Sequence, residues 1–233
     1  MKIMTFNTQH CLNYVERHID FELMAKTIRD QDPDVVGLNE MRGEGEDPEY
    51  TEQVKILSSK TGMDHWFFAE AIRFQGTNPY GNGLLSKLPI LHAETVLIPD
   101  PNPRRGTRYY ETRCLLKAKL EGDITVLVCH FGLNDDEAEN AVKTILQNLP
   151  QERGILMGDF NLLPDNPILA PIYDRMKDTA TAFSTSQLSF PSDKPDRKID
   201  YIFVTPDVEV ICAEIPPVVA SDHRPHTATV NPV

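Results

Sequence analysis

The stretch Gly154-Ile155-Leu156-Met157-Gly158-Asp159-Phe160-Asn161 carries the pattern from which both the fold and the candidate site follow. Its first half is a short apolar run bounded by glycines, which is typical of a buried β-strand. Side chains alternate in extended chain, so we expect Asp159 and Asn161 to project to one side while Phe160 packs away from them. A Gly-Asp turn with no further role is the competing interpretation of this segment alone.

Apolar runs of the same kind recur along the chain and alternate with amphipathic segments of helical period. Predicted strands lie at residues 2–7, 35–39, 65–68, 83–86, 91–98, 112–120, 124–130, 154–157, 199–204, 208–215 and 226–230. Predicted helices lie at residues 21–29, 49–59 and 134–148. Glu121-Gly122-Asp123 is a good hairpin turn because glycine tolerates positive φ, so strands 112–120 and 124–130 should pair antiparallel. Asn134 and Glu137 resemble a capping box at the start of the third helix.

Polar residues with catalytic potential follow these apolar runs, at or just beyond the strand ends. They are Asn7, Glu40, His130, Asp159, Asp200 and Asp222. The ends of neighbouring strands converge on one rim of a sheet, so residues that are remote in sequence are expected to meet there. The pattern therefore predicts a single site.

The run Val36-Gly37-Leu38-Asn39-Glu40 places an acid directly after apolar residues. Desolvating an isolated carboxylate is unfavourable unless it is paired, hydrated or bound to a metal. Glu40 is therefore the first candidate ligand of Mg²⁺, with Mn²⁺ as the alternative ion, and an exposed loop glutamate is the competing interpretation. Arg42, two residues further on, is a candidate to hold a phosphate oxygen.

The segment Ser221-Asp222-His223-Arg224-Pro225 places an acid beside an imidazole. We expect Asp222 to contribute to metal coordination and His223 to transfer protons, which makes His223 the leading candidate for a general base. Asp200, inside an apolar run, is suited to accept a hydrogen bond from that imidazole and fix its tautomer. A buried structural acceptor is the competing interpretation of Asp200.

The remaining candidates complete a site for phosphoester chemistry. Asp159 is a candidate to orient or deprotonate the attacking water, and Asn161 to donate to a phosphate oxygen. His130 would act as a leaving-group acid or stabilise charge on phosphorus, whereas the adjacent Cys129 should face the core. Arg113, beside a strand, is the second candidate for phosphate binding.

Composition limits the class of protein. The 233 residues, 40% of them hydrophobic and 25% charged, contain no low-complexity linker or repeat, so we predict one domain over residues 1–233. The four cysteines form no Cys-x-x-Cys pair, which argues against a zinc site or a disulfide framework. A formal net charge of −12 does not favour binding to nucleic acid, although it does not exclude that partner. With no signal-like or bilayer-length apolar segment, we expect a cytoplasmic monomer that does not bind membranes.

Taken in chain order, the motifs resemble those of the endonuclease/exonuclease/phosphatase superfamily, the deoxyribonuclease-I-like proteins. They are Asn7, Asn39-Glu40, Gly83-Leu84-Leu85-Ser86-Lys87-Leu88-Pro89-Ile90, His130-Phe131, Gly158-Asp159-Phe160-Asn161, Ile199-Asp200-Tyr201 and Ser221-Asp222-His223-Arg224-Pro225. The resemblance spans essentially the whole chain. It implies an α/β fold of four layers, in which two mixed β-sheets pack face to face with helices outside.

The same resemblance implies the roles of the site residues. It implies that Glu40 coordinates Mg²⁺ with Asn7 and Asp222 near it. By the same resemblance the Asp200 and His223 pair handles protons, and His130 is the second imidazole of the family. Asp159 and Asn161 would position water and phosphate, and Arg42 and Arg113 would contact phosphate.

The expected function is thus Mg²⁺-dependent hydrolysis of phosphoester bonds. The superfamily acts on DNA, RNA, phospholipid head groups and inositol phosphates, and its specificity is set by loops. In a compact acidic chain we expect a small soluble phosphodiester or phosphomonoester as substrate, with a DNA or RNA nuclease as the alternative. A non-catalytic binding module on this fold would show losses among the metal and proton-transfer residues, and the sequence contains none.

Overall fold

The computed structural model describes residues 1–232, within which the chain forms twelve strands and four α-helices. The strands are β1 Lys2–Asn7, β2 Val35–Arg42, β3 His65–Phe74, β4 Asn78–Ser86, β5 Ile90–Leu97, β6 Cys114–Leu120, β7 Ile124–His130, β8 Gly154–Asp159, β9 Lys177–Asp178, β10 Asp200–Val204, β11 Val208–Glu214 and β12 His226–Pro232. The α-helices are α1 Phe21–Gln31, α2 Gln53–Thr61, α3 Asp135–Asn148 and α4 Ala170–Tyr173. Short 3₁₀ turns lie at Gln9–Cys11, Pro167–Leu169 and Thr179–Ala182.

The strands form two mixed sheets of six. The first has the order β11-β12-β1-β2-β4-β3, and the second has the order β5-β6-β7-β8-β10-β9. Each sheet has one parallel pair at its centre, β1 with β2 and β7 with β8, while the other pairs are antiparallel. The register sets Asn7 opposite Asn39, and His130 opposite Asp159.

Alternation along the strands builds three apolar layers, because successive side chains point to opposite faces. The core between the sheets includes Ile3, Val35, Leu116, Val128 and Met157. The layer between the first sheet and helices α1 and α2 includes Met4, Met24, Ile28, Leu38 and Leu57. The layer between the second sheet and helix α3 includes Leu127, Ala138, Ile145, Leu156 and Phe203. The predicted four-layered sandwich is therefore confirmed.

Most predicted elements are present, and the local signals explain them. The hairpin predicted around residues 121–123 pairs β6 with β7, and the predicted capping box joins Asn134 and Glu137 at the start of α3. Cys129 is buried in the core as expected. None of the helices in residues 1–232 is long and apolar enough to cross a membrane.

Helix α2 begins later than predicted, at Gln53 rather than residue 49. The segment before it forms a turn in which the Tyr50 carbonyl accepts from the Gly45 N–H and the Tyr50 N–H donates to the Asp47 carbonyl. These bonds satisfy backbone groups of the turn without a helix. The helical spacing in the sequence therefore begins before the helix itself. Strand β9 and helix α4 were not predicted, because each is too short to show a period.

The expectation that each candidate follows a strand is wrong for Asp200, which begins β10, and for Asp222, which lies in the loop before β12. Glu40 lies within β2 rather than beyond its end. The candidate residues still lie at one edge, because β10 runs antiparallel to β8 and β12 runs antiparallel to β1. The start of an antiparallel strand lies at the same edge as the end of its neighbour.

Candidate active site

A β-bulge presents Glu40 at the edge of the first sheet. The register between β2 and β4 shifts between Leu38 and Met41, and Glu40 adopts a left-handed backbone with φ of 62°. A residue with a side chain seldom adopts this conformation, and bulges of this kind re-aim side chains beside functional sites. Glu40 is partly exposed, whereas its neighbours Asn39 and Met41 are buried.

Asn7 joins the two sheets at the end of β1. Its Nδ2 atom donates to Oε1 of Glu40 at 3.0 Å and to Oδ2 of Asp159 at 3.1 Å. Its Oδ1 atom accepts from the Gln9 N–H at 3.0 Å, which fixes the orientation of the amide. Asn7 therefore holds two carboxylates together, one from each sheet.

Asp159 lies at the centre of the site, buried at the end of β8. Its Oδ1 atom accepts from the Asn161 N–H at 2.9 Å. Its Oδ2 atom lies 3.5 Å from Nε2 of both His130 and His223. Burial raises the pKa of Asp159 to about 7, although the positive charge of His223 opposes the rise. Both candidate imidazoles thus converge on this carboxylate.

The contact expected between His223 and Asp200 is present, with Nδ1 and Oδ2 separated by 2.9 Å. The His223 imidazole also packs against the Phe190 ring, and the centroids of the two rings are 4.7 Å apart. Burial would lower the pKa of His223, but the carboxylates of Asp200 and Asp159 outweigh it and raise that pKa to about 10. Asp200 therefore orients His223 so that its Nε2 atom faces Asp159.

His130 occupies the other side of Asp159, at the end of β7. Its Nε2 atom lies 3.2 Å from Nδ2 of Asn161, and its Nδ1 atom lies 3.1 Å from Nη1 of Arg113. We expected an extended backbone at Asn161, but the backbone of this residue is left-handed, with φ of 52°. The turn keeps the Asn161 amide near the site, where it also donates to the Phe131 carbonyl.

The last acidic candidate, Asp222, is partly buried and accepts from the Ser221 hydroxyl at 3.0 Å. Burial raises the pKa of Asp222; His223 opposes the rise and the nearby Glu40 carboxylate adds to it. Arg42 pairs with Glu49 at 3.1 Å and stacks on the Tyr50 ring, and its buried Nε atom has no hydrogen-bond partner. Phosphate binding by Arg42 stays a prediction, as it does for Arg113.

Two buried amides support the site from behind: Asn39, which the sequence motifs include without a role, and Asn82, which they do not include. Asn39 donates from Nδ2 to Oδ1 of Asn82 at 2.8 Å, and its Oδ1 accepts from the Asp159 N–H at 2.9 Å. Asn82 in turn donates to the Cys114 carbonyl at 2.9 Å. The sequence does contain a signal for Asn39, an amide inside an apolar run, whereas Asn82 lies outside the predicted strand 83–86.

Two more side chains were missed beside Glu40. Burial, and then the nearby Glu40 carboxylate, raise the pKa of Tyr80 well above its ordinary value. Glu111 pairs with Arg113, with Oε1 and Nη1 separated by 2.5 Å. Neither residue follows an apolar run, so the strand-end pattern could not identify them.

The donor set of this rim fits a hard divalent cation. Glu40 and Asp222 supply carboxylate oxygens, and burial, with the Glu40 carboxylate adding to it, raises the pKa of Asp222; a bound cation would favour the ionised form of both acids. Within residues 1–232, ligand-type atoms of Asp159, Asp200 and His223 also lie within 4.8 Å of one another. Within that group, Asp200 and His223 are joined by a hydrogen bond.

Comparison with known proteins identifies the family. The profile of the Endonuclease/Exonuclease/phosphatase family matches residues 4–223. No curated protein matches the sequence.

Solved structures share the fold across nearly the whole chain. An endonuclease/exonuclease/phosphatase from Bacteroides vulgatus is 19% identical with a TM-score of 0.79, covering 100% of this chain and 98% of that one. The mannosyl-6-phosphatase of Bacteroides thetaiotaomicron VPI-5482 is 15% identical with a TM-score of 0.75, covering 99% of both chains. TDP2 of D. rerio, complexed with single strand DNA product, is 16% identical with a TM-score of 0.66, covering 99% and 98%. The chain therefore belongs to the endonuclease/exonuclease/phosphatase family, whose members are phosphoester hydrolases.

Proposed function

We propose that this protein hydrolyses phosphoester bonds with the help of a bound divalent cation, Mg²⁺ or Mn²⁺. The observation that carries the proposal is the position of Asp159, whose carboxylate is hydrogen-bonded to Asn7 and lies 3.5 Å from two imidazoles. Carboxylates and imidazoles around a buried acid suit attack by water on phosphorus. A non-catalytic binding module does not require this arrangement.

Glu40 and Asp222 are the residues proposed to hold the cation, together with the oxygen of Asn7. In the present geometry the Asn7 oxygen accepts from Gln9 and its nitrogen faces the carboxylates, so ligation by Asn7 requires the amide to turn. When bound, the cation would polarise the phosphoryl group and stabilise its developing charge.

Proton transfer is assigned to the pair of Asp159 and His223. Asp200 accepts from Nδ1 of His223, which leaves the Nε2 atom directed at Asp159. A water held between the two groups would lose its proton to this pair as its oxygen forms the new bond to phosphorus. Asn161 and His130 line the opposite side, where they would contact phosphate oxygens.

A small soluble phosphodiester or phosphomonoester is the proposed substrate, and a monomer that does not act on membranes is the proposed form. The net charge of −12 disfavours long nucleic acids, and Arg42 and Arg105 are already paired with Glu49 and Glu139. The similarity in length and fold to a mannosyl-6-phosphatase supports a small phosphorylated substrate. A nuclease is the second candidate, because the fold is shared with a protein that was solved with single-stranded DNA.

A substrate panel tests the proposal and separates the two candidates. Turnover of sugar phosphates, p-nitrophenyl phosphate, bis(p-nitrophenyl) phosphate, single-stranded RNA and plasmid DNA is compared with Mg²⁺, with EDTA and with His223→Ala. We expect turnover of a small ester that is lost with EDTA and with the variant. A higher kcat/KM on RNA or DNA would favour the nuclease, and no turnover of any substrate would contradict hydrolysis.

A further inference from the structure

A series of side chains leads from the partly buried Glu111 through Arg113 to the buried His130. Arg113 lies just before β6, and Glu111 and Arg113 are each only 13% exposed. The Nη1 atom of Arg113 lies 2.5 Å from Oε1 of Glu111 and 3.1 Å from Nδ1 of His130. Arg113 is thereby held by one partner while it faces the other.

The chemistry of guanidinium limits what His130 can do at this contact. Guanidinium has five N–H donors, no acceptor, and does not lose its proton in proteins. Nδ1 of His130 must therefore present a lone pair to Arg113, and a neutral imidazole then carries its proton on Nε2. In a doubly protonated His130, the Nδ1–H would point at the Arg113 N–H, so that two donors would face each other.

The other ring nitrogen of His130 faces a competing donor. Nδ2 of Asn161 lies 3.2 Å from Nε2, yet a neutral imidazole has only one acceptor nitrogen. A charged donor forms the stronger hydrogen bond, and Glu111 fixes the position of Arg113. The Asn161 amide already donates to the Phe131 carbonyl at 3.1 Å and does not need His130 as an acceptor.

We propose that Arg113 is a positioning residue that holds the proton of the neutral His130 ring on Nε2, so that His130 donates a hydrogen bond to a phosphate oxygen and does not protonate the leaving group. The inference rests on the proposed function for its kinetic consequence, but not for the state of the ring. The groups that face the ring are Arg113, Asn161, Asp159 and His223. Burial, then Arg113 and His223, lower the pKa of His130 well below its ordinary value, in agreement with a neutral ring.

The two imidazoles of the site, His130 and His223, therefore differ in the group that faces the Nδ1 atom. Nδ1 of His223 faces a carboxylate acceptor, Asp200, whereas Nδ1 of His130 faces a cationic donor, Arg113. His223 can therefore carry a positive charge that His130 cannot. A proton for the leaving group must come from the Asp159 and His223 pair or from water.

Nitrogen NMR of ¹⁵N-histidine protein with Mg²⁺ tests the state of the ring, using His130→Gln to assign its signals. We expect a protonated Nε2 and an unprotonated Nδ1 that stay unchanged from about pH 5 to 8. In Arg113→Met we expect the proton to be shared between Nδ1 and Nε2, because the donor facing Nδ1 is gone, and Arg113→Lys, which keeps a cationic donor, should restore the wild-type signals. A protonated Nδ1 in the wild-type protein would overturn the proposal. Circular dichroism checks that both variants are folded.

Leaving-group dependence tests the role of His130 in turnover. A nitrophenolate leaves without protonation, whereas an alkoxide needs a proton, so removal of a general acid damages alkyl ester hydrolysis far more. We expect His130→Ala to lose about 10²–10³-fold in kcat on both ester types, as for the loss of one oxyanion donor. A much larger loss on the alkyl ester would overturn the proposal. Absence of wild-type turnover would contradict the proposed function, while the NMR result would still decide the ring state.

Discussion

At the scale of single residues, the site depends on what each carboxylate faces. Asp159 faces an amide and two imidazoles, Asp200 accepts from His223, and Asp222 lies near Glu40. The same side chain therefore meets different neighbours at each position, and burial raises the pKa of both Asp159 and Asp222. This difference supports the separation of metal binding from proton handling in the proposed mechanism.

The pair of Asp200 and His223 leads to a prediction about catalysis. Asp200→Asn should lower kcat by about 10²–10⁴-fold, because an amide cannot stabilise the charged ring or fix its tautomer. The double variant with His223→Ala should lose no more than His223→Ala alone, since the two residues act as a unit. Steady-state kinetics on a small phosphoester measures both effects. Additive losses would show that Asp200 acts independently of His223.

The sequence identified most of this site because apolar strands ending in polar residues are a local pattern. Asn7, His130 and Asp159 end strands as expected, and the contact of Asp200 with His223 follows from chemistry that needs no register. The link from Arg113 to His130 was not predicted, since it depends on the conformation of the connection between β5 and β6. That conformation is set by tertiary contacts that no local pattern encodes.

At the scale of elements, two buried amides tie strands of opposite sheets together behind the site. Asn39 of β2 accepts from the backbone of Asp159 in β8 and donates to Asn82 of β4. Asn82 continues the connection to the backbone of Cys114 in β6. The position of Asp159 is therefore fixed by its backbone as well as by its side chain.

This bridge predicts a loss of both stability and activity in Asn39→Ala. The Asp159 N–H and the Asn82 oxygen would each lose a buried partner, at a cost of roughly 1–3 kcal/mol per group. The free energy of unfolding should therefore fall by about 2–6 kcal/mol, measured by urea titration. Asn140→Ala, which removes a hydrogen bond to Pro99 at the surface, is the matched control and should stay within about 0.5 kcal/mol of wild type. Equal effects of the two variants would contradict the structural role of Asn39.

The bulge in β2 shows what the sequence could not predict at this scale. Residues 36–40 predict a strand followed by an acid, but the left-handed backbone at Glu40 arises from the pairing of β2 with β4. A bulge is a property of two strands, so a pattern in one of them cannot locate it. The sequence could not predict the start of β10 at Asp200 for a similar reason, because the direction of a strand in its sheet is not a local property.

At the scale of the whole molecule, buried histidines make folding depend on pH. His226 is fully buried between Thr179, the Asp200 carbonyl and the Phe183 ring. Burial, then Lys198, lower the pKa of His226 well below its ordinary value. Below about pH 6.5 the unfolded chain therefore binds a proton that the folded chain excludes.

The contribution of His226 to the free energy of unfolding should accordingly fall as the pH drops below about 6.5, and it is present in full only above that pH. Asp159 and His223 have raised pKa values and act in the opposite sense, so the comparison of wild type with His226→Gln isolates the contribution. The stability of wild type relative to the variant should decrease by about 1–2 kcal/mol between roughly pH 7.5 and pH 5. Urea titrations at the two pH values measure it, and a difference that does not change with pH would refute the prediction.

The central claim is that the carboxylates on the rim formed by both sheets hold a divalent cation that phosphoester hydrolysis requires. The most direct test is the rate of bis(p-nitrophenyl) phosphate hydrolysis by chelator-treated protein as Mg²⁺ is added back, for wild type, Glu40→Gln and the exposed control Glu209→Gln. The account predicts no rate without metal, a saturable recovery shared by wild type and Glu209→Gln, and a recovery in Glu40→Gln that needs more Mg²⁺ or fails. An undiminished rate in the chelated wild-type protein, or identical Mg²⁺ curves for all three proteins, would contradict it.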